Sequence, residues 1–191
     1  MKKATILSLL SVLFVYVITS GQDTYFTQYF SNSLFLNPAY TGSLGCSRLG
    51  LNWRIMAEKY QSHSTYCVSY DQKIGKIPGS IGIQFYDDHY KVFGLTSESF
   101  INANVVYAID LLNKEKLHLR PAIKIGYGDH QYKSKSSYTE EEYTTMSKAY
   151  YNAGAGLLIV FYKFTSGISF DHLNKPDIAF KGSSILPDVN L

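Results

Sequence analysis

From Cys46 onward, apolar and polar residues alternate one by one, the period of β-strands whose two faces meet different surroundings. In the first such run Leu49, Leu51, Trp53 and Ile55 fall on one side, and Arg48, Gly50, Asn52 and Arg54 on the other. The next sets Tyr66, Val68 and Tyr70 against Thr65, Cys67, Ser69 and Asp71. A third sets Ile81, Ile83 and Phe85 against Ser80, Gly82 and Gln84. The fourth opposes Ile101, Ala103, Val105, Tyr107 and Ile109 to Asn102, Asn104, Val106 and Ala108, with Glu98 further back. A fifth, Lys116–Tyr127, carries His118, Arg120 and Lys124 on its polar side. Two more follow at about Tyr150–Val160 and Tyr162–Asp171. No stretch beyond residue 21 keeps a helical period, so the pattern predicts an all-β, antiparallel fold.

Such strands suit either a soluble barrel or sandwich, or an outer-membrane β-barrel, and the polar face separates the two. A soluble barrel fills its interior with the apolar face, whereas a membrane barrel turns that face to lipid around a polar lumen. Runs of about 9–11 residues fit a tilted membrane strand; globular strands average about 5–6. Arg48, Arg54, Glu98, Arg120 and Lys124 need water along the strands, and a lumen provides it. Tyrosines near the expected strand ends (Tyr66, Tyr70, Tyr86, Tyr107, Tyr127, Tyr150, Tyr151) suit interfacial girdles. The pattern therefore favours the membrane barrel. Short connections at 73–79, 111–115 and near Phe161 alternate with longer ones at 56–63, 87–94 and 129–149, which predicts periplasmic turns and surface loops. Seven strands make an odd count, and lipid does not tolerate an unpaired edge. A missed strand, a further strand within Ile178–Leu191, or a longer barrel with this chain at its front would each resolve it.

Ahead of the strands, Lys2-Lys3, the apolar run Ile6–Ile18 and the small residues Thr19-Ser20-Gly21 form a secretory signal. The apolar run is shorter than the roughly 20 residues of a membrane-spanning helix. The expected organisation is a signal peptide at 1–21, a periplasmic N-terminal segment at 22–45 and a transmembrane barrel, incomplete in itself, at 46–191. Charged residues are only 17% of the chain, with 17 Tyr and 11 Phe, against about 25% charged in soluble domains. Net charge is +3, of which Lys2 and Lys3 belong to the signal, so nucleic acid is not an expected partner. An exported chain permits a disulfide. Yet Cys67 falls opposite about Leu51, too far along the strand from Cys46 for a Cα separation below about 7 Å. Two free thiols in the wall are expected.

The segment Gln28–Ser43, QYFSNSLFLNPAYTGS, is aromatic and almost uncharged. Its Asn37–Gly42 part reads as a turn: Asn37 bonds its own backbone, Pro38 fixes φ, and Gly42 permits positive φ. Phe35, Leu36 and Tyr40 would anchor that turn on an apolar surface. Together with RLGLNWR (Arg48–Arg54), TYCVSYDQ (Thr65–Gln72) and the His-Leu-X-X-Pro turn in SGISFDHLNKPDIAF (Ser166–Phe180), it resembles the PorP/SprF family. Those are Bacteroidetes outer-membrane proteins of type IX secretion and gliding. The resemblance runs from about Gln22 to Phe180. It departs at Ser33, where the family often has proline, and in length, since members normally continue further. It implies a non-enzymatic component that docks a periplasmic ring lipoprotein and a peptidoglycan-binding protein, embedded in outer-membrane lipid, and that helps export or anchor a surface adhesin. Docking candidates carried by the matching elements are Gln28, Tyr29, Asn37, Pro38, Ala39, Tyr40, Gly42, Tyr70, Asp71, Gln72, His172 and Pro176.

Catalytic chemistry is not nominated. His63, His89, His118, His130 and His172 lack metal-ligand spacing, and Glu140-Glu141-Glu142 lacks the alternation of a calcium loop. Gly126-Tyr127-Gly128 reads as a bulge or bend in a strand rather than a phosphate cradle. No cofactor is expected. Two rival readings remain at this stage. One is a small outer-membrane diffusion channel or solute-carrying β-barrel, anion-preferring through Arg48, Arg54, Arg120 and Lys124. The other is a soluble β-barrel for an apolar ligand.

Overall fold

The computed structural model describes residues 31–75, 78–92, 96–114, 117–135 and 143–180. The expected signal peptide, Gln28, Tyr29 and the run Glu140–Glu142 lie outside the described residues. Among the described residues eight strands follow one another: β1 (Arg48–Ala57), β2 (Gln61–Ile74), β3 (Gly79–Val92), β4 (Thr96–Ile109), β5 (Leu112–Lys114), β6 (Leu117–Lys135), β7 (Tyr143–Phe161) and β8 (Phe164–Phe170). They form one antiparallel meander in the order β1-β2-β3-β4-β6-β7-β8, with the short β5 folded back on β6. The sheet curls into a half-barrel. Seven strands make up its wall, so β1 and β8 are its edges and run in the same direction. Before β1 stand a single helical turn, α1 (Ser33–Leu36), and a 3-10 turn, Pro38–Tyr40.

The alternation resolves into two faces of opposite character. Outward, Leu51 is 71% exposed and Tyr151 72%, with Leu49, Trp53, Ile83, Val105, Ile123 and Ile125 also exposed. Inward, Asn102 is 1% exposed and Gln84 3%, alongside buried Thr65, Ser69, Asp71, Asn104, Arg120, Lys124 and Asn152. Large apolar side chains outside and amides and charges inside invert the order of a soluble core. Lipid on the convex face accounts for both. On β6 the outward residues stay apolar from Leu119 to Tyr127, a rise of about 26 Å along the strand. At the upper limit of this band Trp53 stacks on Tyr66 with ring centroids 5.9 Å apart, and Tyr127 meets Tyr151 edge-on at 5.5 Å.

Several expectations need correction. Tyr86 and Tyr150 are not girdle residues; Tyr150 is buried and its hydroxyl donates to Asn102 Oδ1, while Tyr86 packs inside against Phe35. The longer loops are mostly strand. β2 already starts at Gln61, β3 runs to Val92, and β6 and β7 take up 117–135 and 143–161. These upper parts carry polar residues on both faces, such as Asp87, His89, Lys91, Asp129, Gln131 and Lys133 outward. Above the lipid band the outer face meets water and the inner face is polar too, so the hydrophobic period that marks a strand vanishes although the ladder continues. Loop length therefore no longer distinguishes the two ends. Cys67 lies inside opposite Asn52, whereas Cys46 is exposed ahead of β1 rather than in the wall; both are free.

The interior is not wholly polar. Val106, Ala108, Ala122 and Leu158 are buried on the concave side, and the last three pack with Ala39 of the N-terminal turn, flanked by Tyr40 and Val160. This small apolar floor receives the segment that precedes β1.

Candidate functional site

The Asn37–Gly42 turn sits inside the half-barrel as a plug. Asn37 orders it from within: Oδ1 accepts the Ala39 N–H at 2.8 Å, the cap expected of an Asn before a Pro-initiated turn. Its Nδ2 then donates to the main-chain carbonyls of Leu157 on β7 and Ile168 on β8, at 3.3 and 3.1 Å. One side chain thus caps its own turn and bridges two wall strands. Gly156 makes the approach possible, because a Cβ there would come within 2.8 Å of Pro38 Cγ. Gly42 closes the turn at φ 64°, in the left-handed region that favours glycine.

Charged side chains tie the plug to the opposite wall. Asp71, 1% exposed on β2, accepts the Gly42 N–H at 2.6 Å. Its two oxygens also take Arg48 Nε and Nη2 at 2.8 and 3.1 Å, a bidentate pair. Arg120 on β6 donates through Nη2 to the Thr41 carbonyl at 2.6 Å and to Ser80 Oγ at 3.3 Å. Its Nη1 meets Asp110 at 2.8 Å, and Asp110 also holds Lys73 at 2.9 Å. Lys124 pairs with Asp171, just past β8. Buried charge survives only when paired and hydrogen-bonded, and each of these cations has its carboxylate.

Of the residues singled out in the sequence, Asn37, Pro38, Ala39, Tyr40 and Gly42 form the plug, with Asp71, Arg48 and Arg120 around it. Tyr70 and Gln72 bond each other on the outer side of β2, the Tyr70 hydroxyl donating at 2.8 Å. Arg54 and Glu98 lie on the inner face near the other end, away from the plug. His172 and Pro176 belong to the turn after β8, where His172 takes φ 54°. Asp110, Ser80, Asp171, His130 and Lys148 were not singled out for the lumen. Ser80 carried a signal, since it alternates onto the polar side of its strand. Asp110 and Asp171 stood at expected strand ends, where alternation gives no direction.

A second cluster occupies the upper inner wall. The row Arg54, Thr65, Asp88, Phe100, His130 and Lys148 crosses the sheet in register from β1 to β7. Thr65 Oγ1 and His63 Nε2 both reach Asp88 Oδ1 at 2.6 Å, and His130 Nε2 meets Glu98 Oε1 at 2.6 Å.

A curled antiparallel sheet, apolar outside and polar inside, with its own N-terminal turn seated in the hollow, is the construction of a membrane β-barrel protein. The chain belongs to the PorP/SprF family: the family model for the type IX secretion system membrane protein PorP/SprF matches residues 18–189. It is thus a membrane component of type IX secretion, a family not known for enzymes. Comparison with curated proteins and with solved structures gives no match.

Proposed function

We propose that this protein is a non-enzymatic outer-membrane anchor of the type IX secretion and gliding machinery. The apolar wall holds it in the outer membrane. The plugged end faces the periplasm and docks a ring lipoprotein and a peptidoglycan-binding protein, while the opposite rim meets secreted adhesins. The observation that carries this reading is the tethering of the plug. Asn37, Gly42 and Thr41 are bonded to β7, β8, β2 and β6 together, so load applied at the N-terminal segment is shared across the wall. The docking residues proposed are Asn37, Pro38, Ala39, Tyr40, Gly42, Tyr70, Asp71, Gln72, His172 and Pro176, together with Gln28 and Tyr29, which lie outside the described residues.

The diffusion channel is the weaker reading, because a turn fills the lower lumen and Arg48, Arg120 and Lys124 are neutralised by Asp71, Asp110 and Asp171. Affinity purification of the tagged full chain in mild detergent tests the anchor: periplasmic ring components should copurify, and a partner-free preparation overturns it. Planar-bilayer recordings should be silent; steady anion-selective conductance would return the channel to first place.

A further inference from the structure

The chain leaves the sheet soon after β8, and what it does next exposes a site on the inner rim. The Leu173 N–H donates to the Ala153 carbonyl at 2.9 Å. The Asn174 side chain then takes the place of a strand, accepting from Ala153 N–H at 3.0 Å and donating to the Tyr151 carbonyl at 2.6 Å. With pairing ended, residues 177–180 turn over the inner wall. There the cross-strand neighbours His130 and Lys148 grip two consecutive main-chain carbonyls: His130 Nδ1 donates to Ile178 O at 3.0 Å and Lys148 Nζ to Ala179 O at 2.8 Å. Lys148 also pairs with Asp177 at 3.1 Å. The Phe180 ring lies 4.7 Å from His130, which also stacks on Phe100 at 4.2 Å and 11°. Glu98 fixes the imidazole through Nε2.

We infer that His130, Lys148, Phe100 and Glu98 form a peptide-docking site for a short segment with an acidic residue three positions before an aromatic one. Residues 177–180 are its resident occupant, displaced by a partner polypeptide of the same chemistry. Two of the four anchoring contacts go to main-chain carbonyls, which every polypeptide presents. The other two read one carboxylate and one ring. Phe100 stacks on His130 and Glu98 holds its Nε2 without any help from residues 177–180, so the receiving imidazole is oriented by the wall itself. The occupant is loosely kept by comparison: the Asp177 side chain is 57% exposed, and such open ion pairs contribute little. This site lies at the end of the barrel opposite the plug and stands independently of the periplasmic docking proposed above.

The probe is a fluorescent synthetic peptide with the sequence of Leu173–Phe180, titrated into the detergent-solubilised full chain. A tethered occupant competes at an effective concentration of about millimolar order. The Phe180→Ala chain should therefore bind the peptide saturably, and the unaltered chain at least about tenfold more weakly. Asp177→Asn, which keeps the ring and main chain, is the second loosening variant and should also gain binding. Adding Lys148→Ala or His130→Ala to either variant should remove it, as should replacing the peptide's phenylalanine by alanine. No saturable binding to either loosened chain, or equal binding with and without Lys148, overturns the site.

Discussion

Asp71 Oδ2 accepts the main-chain N–H of Gly42 at 2.6 Å, joining a buried position of β2 to a turn 29 residues earlier in the chain. The same carboxylate carries Arg48, the first residue of β1. Plug, first strand and second strand thus share one acidic group.

Asp71→Ala strands a buried N–H and leaves Arg48 facing a gap. Loss of a buried, paired charge costs about 3–5 kcal/mol, and the plug should detach before the sheet does. Protease accessibility of the Asn37–Gly42 segment, measured beside urea unfolding, checks this. A turn that stays protected in the variant would refute the role given to Asp71.

Gly156 is a test of fit rather than charge. A methyl group there meets Asn37 and Pro38, and overpacking of this kind costs about 1–3 kcal/mol. Gly75→Ala is the control, since nothing lies within 4 Å of its added Cβ; a change within about 0.5 kcal/mol is expected. Equal effects at the two glycines would mean that the plug does not press on β7.

The two faces of the wall can be read with nitroxide labels in the reconstituted protein. A label at Val105→Cys, on the apolar side, should collide with oxygen dissolved in lipid. One at Arg54→Cys should respond to a water-soluble nickel chelate instead. Val105→Arg should also weaken insertion, by about 2–4 kcal/mol if the residue sits near the bilayer midplane. Exchange of the two label responses would mean that the convex face does not touch lipid.

The thiols give a chemical check on the same geometry. Cys46 is exposed and Cys67 is buried at 1%. A bulky maleimide should modify Cys46 in the folded protein and reach Cys67 only after denaturation. Prompt modification of both would show the inner wall of β2 to be open.

How far the sequence could be read depended on which forces are local. Side chains on a strand point alternately to opposite faces whatever the neighbouring strands do. The run from Arg48 to Ile55 therefore showed its two faces in the sequence, and so did Ile101–Ile109, with Val106 and Ala108 placed correctly inside despite their apolar side chains. The turn at Asn37–Gly42 was equally local, because Pro38 and Gly42 restrict their own dihedrals. Above the apolar band this signal failed. Asp129–Ser134 and Thr145–Ala149 show no apolar side alternating with a polar one, so residues in a continuous ladder looked like loop.

The one-dimensional pattern determined the fold class, the face of the strand residues that alternate within the apolar band and the presence of a packed turn before the first strand. Tertiary structure alone decided that Asp71 takes Gly42 and Arg48, and that Lys124 finds Asp171. It also decided that Asn37 reaches a carbonyl 131 residues away. Those choices follow from strand register and curvature, which bring together groups whose sequence separation carries no trace of their distance in space.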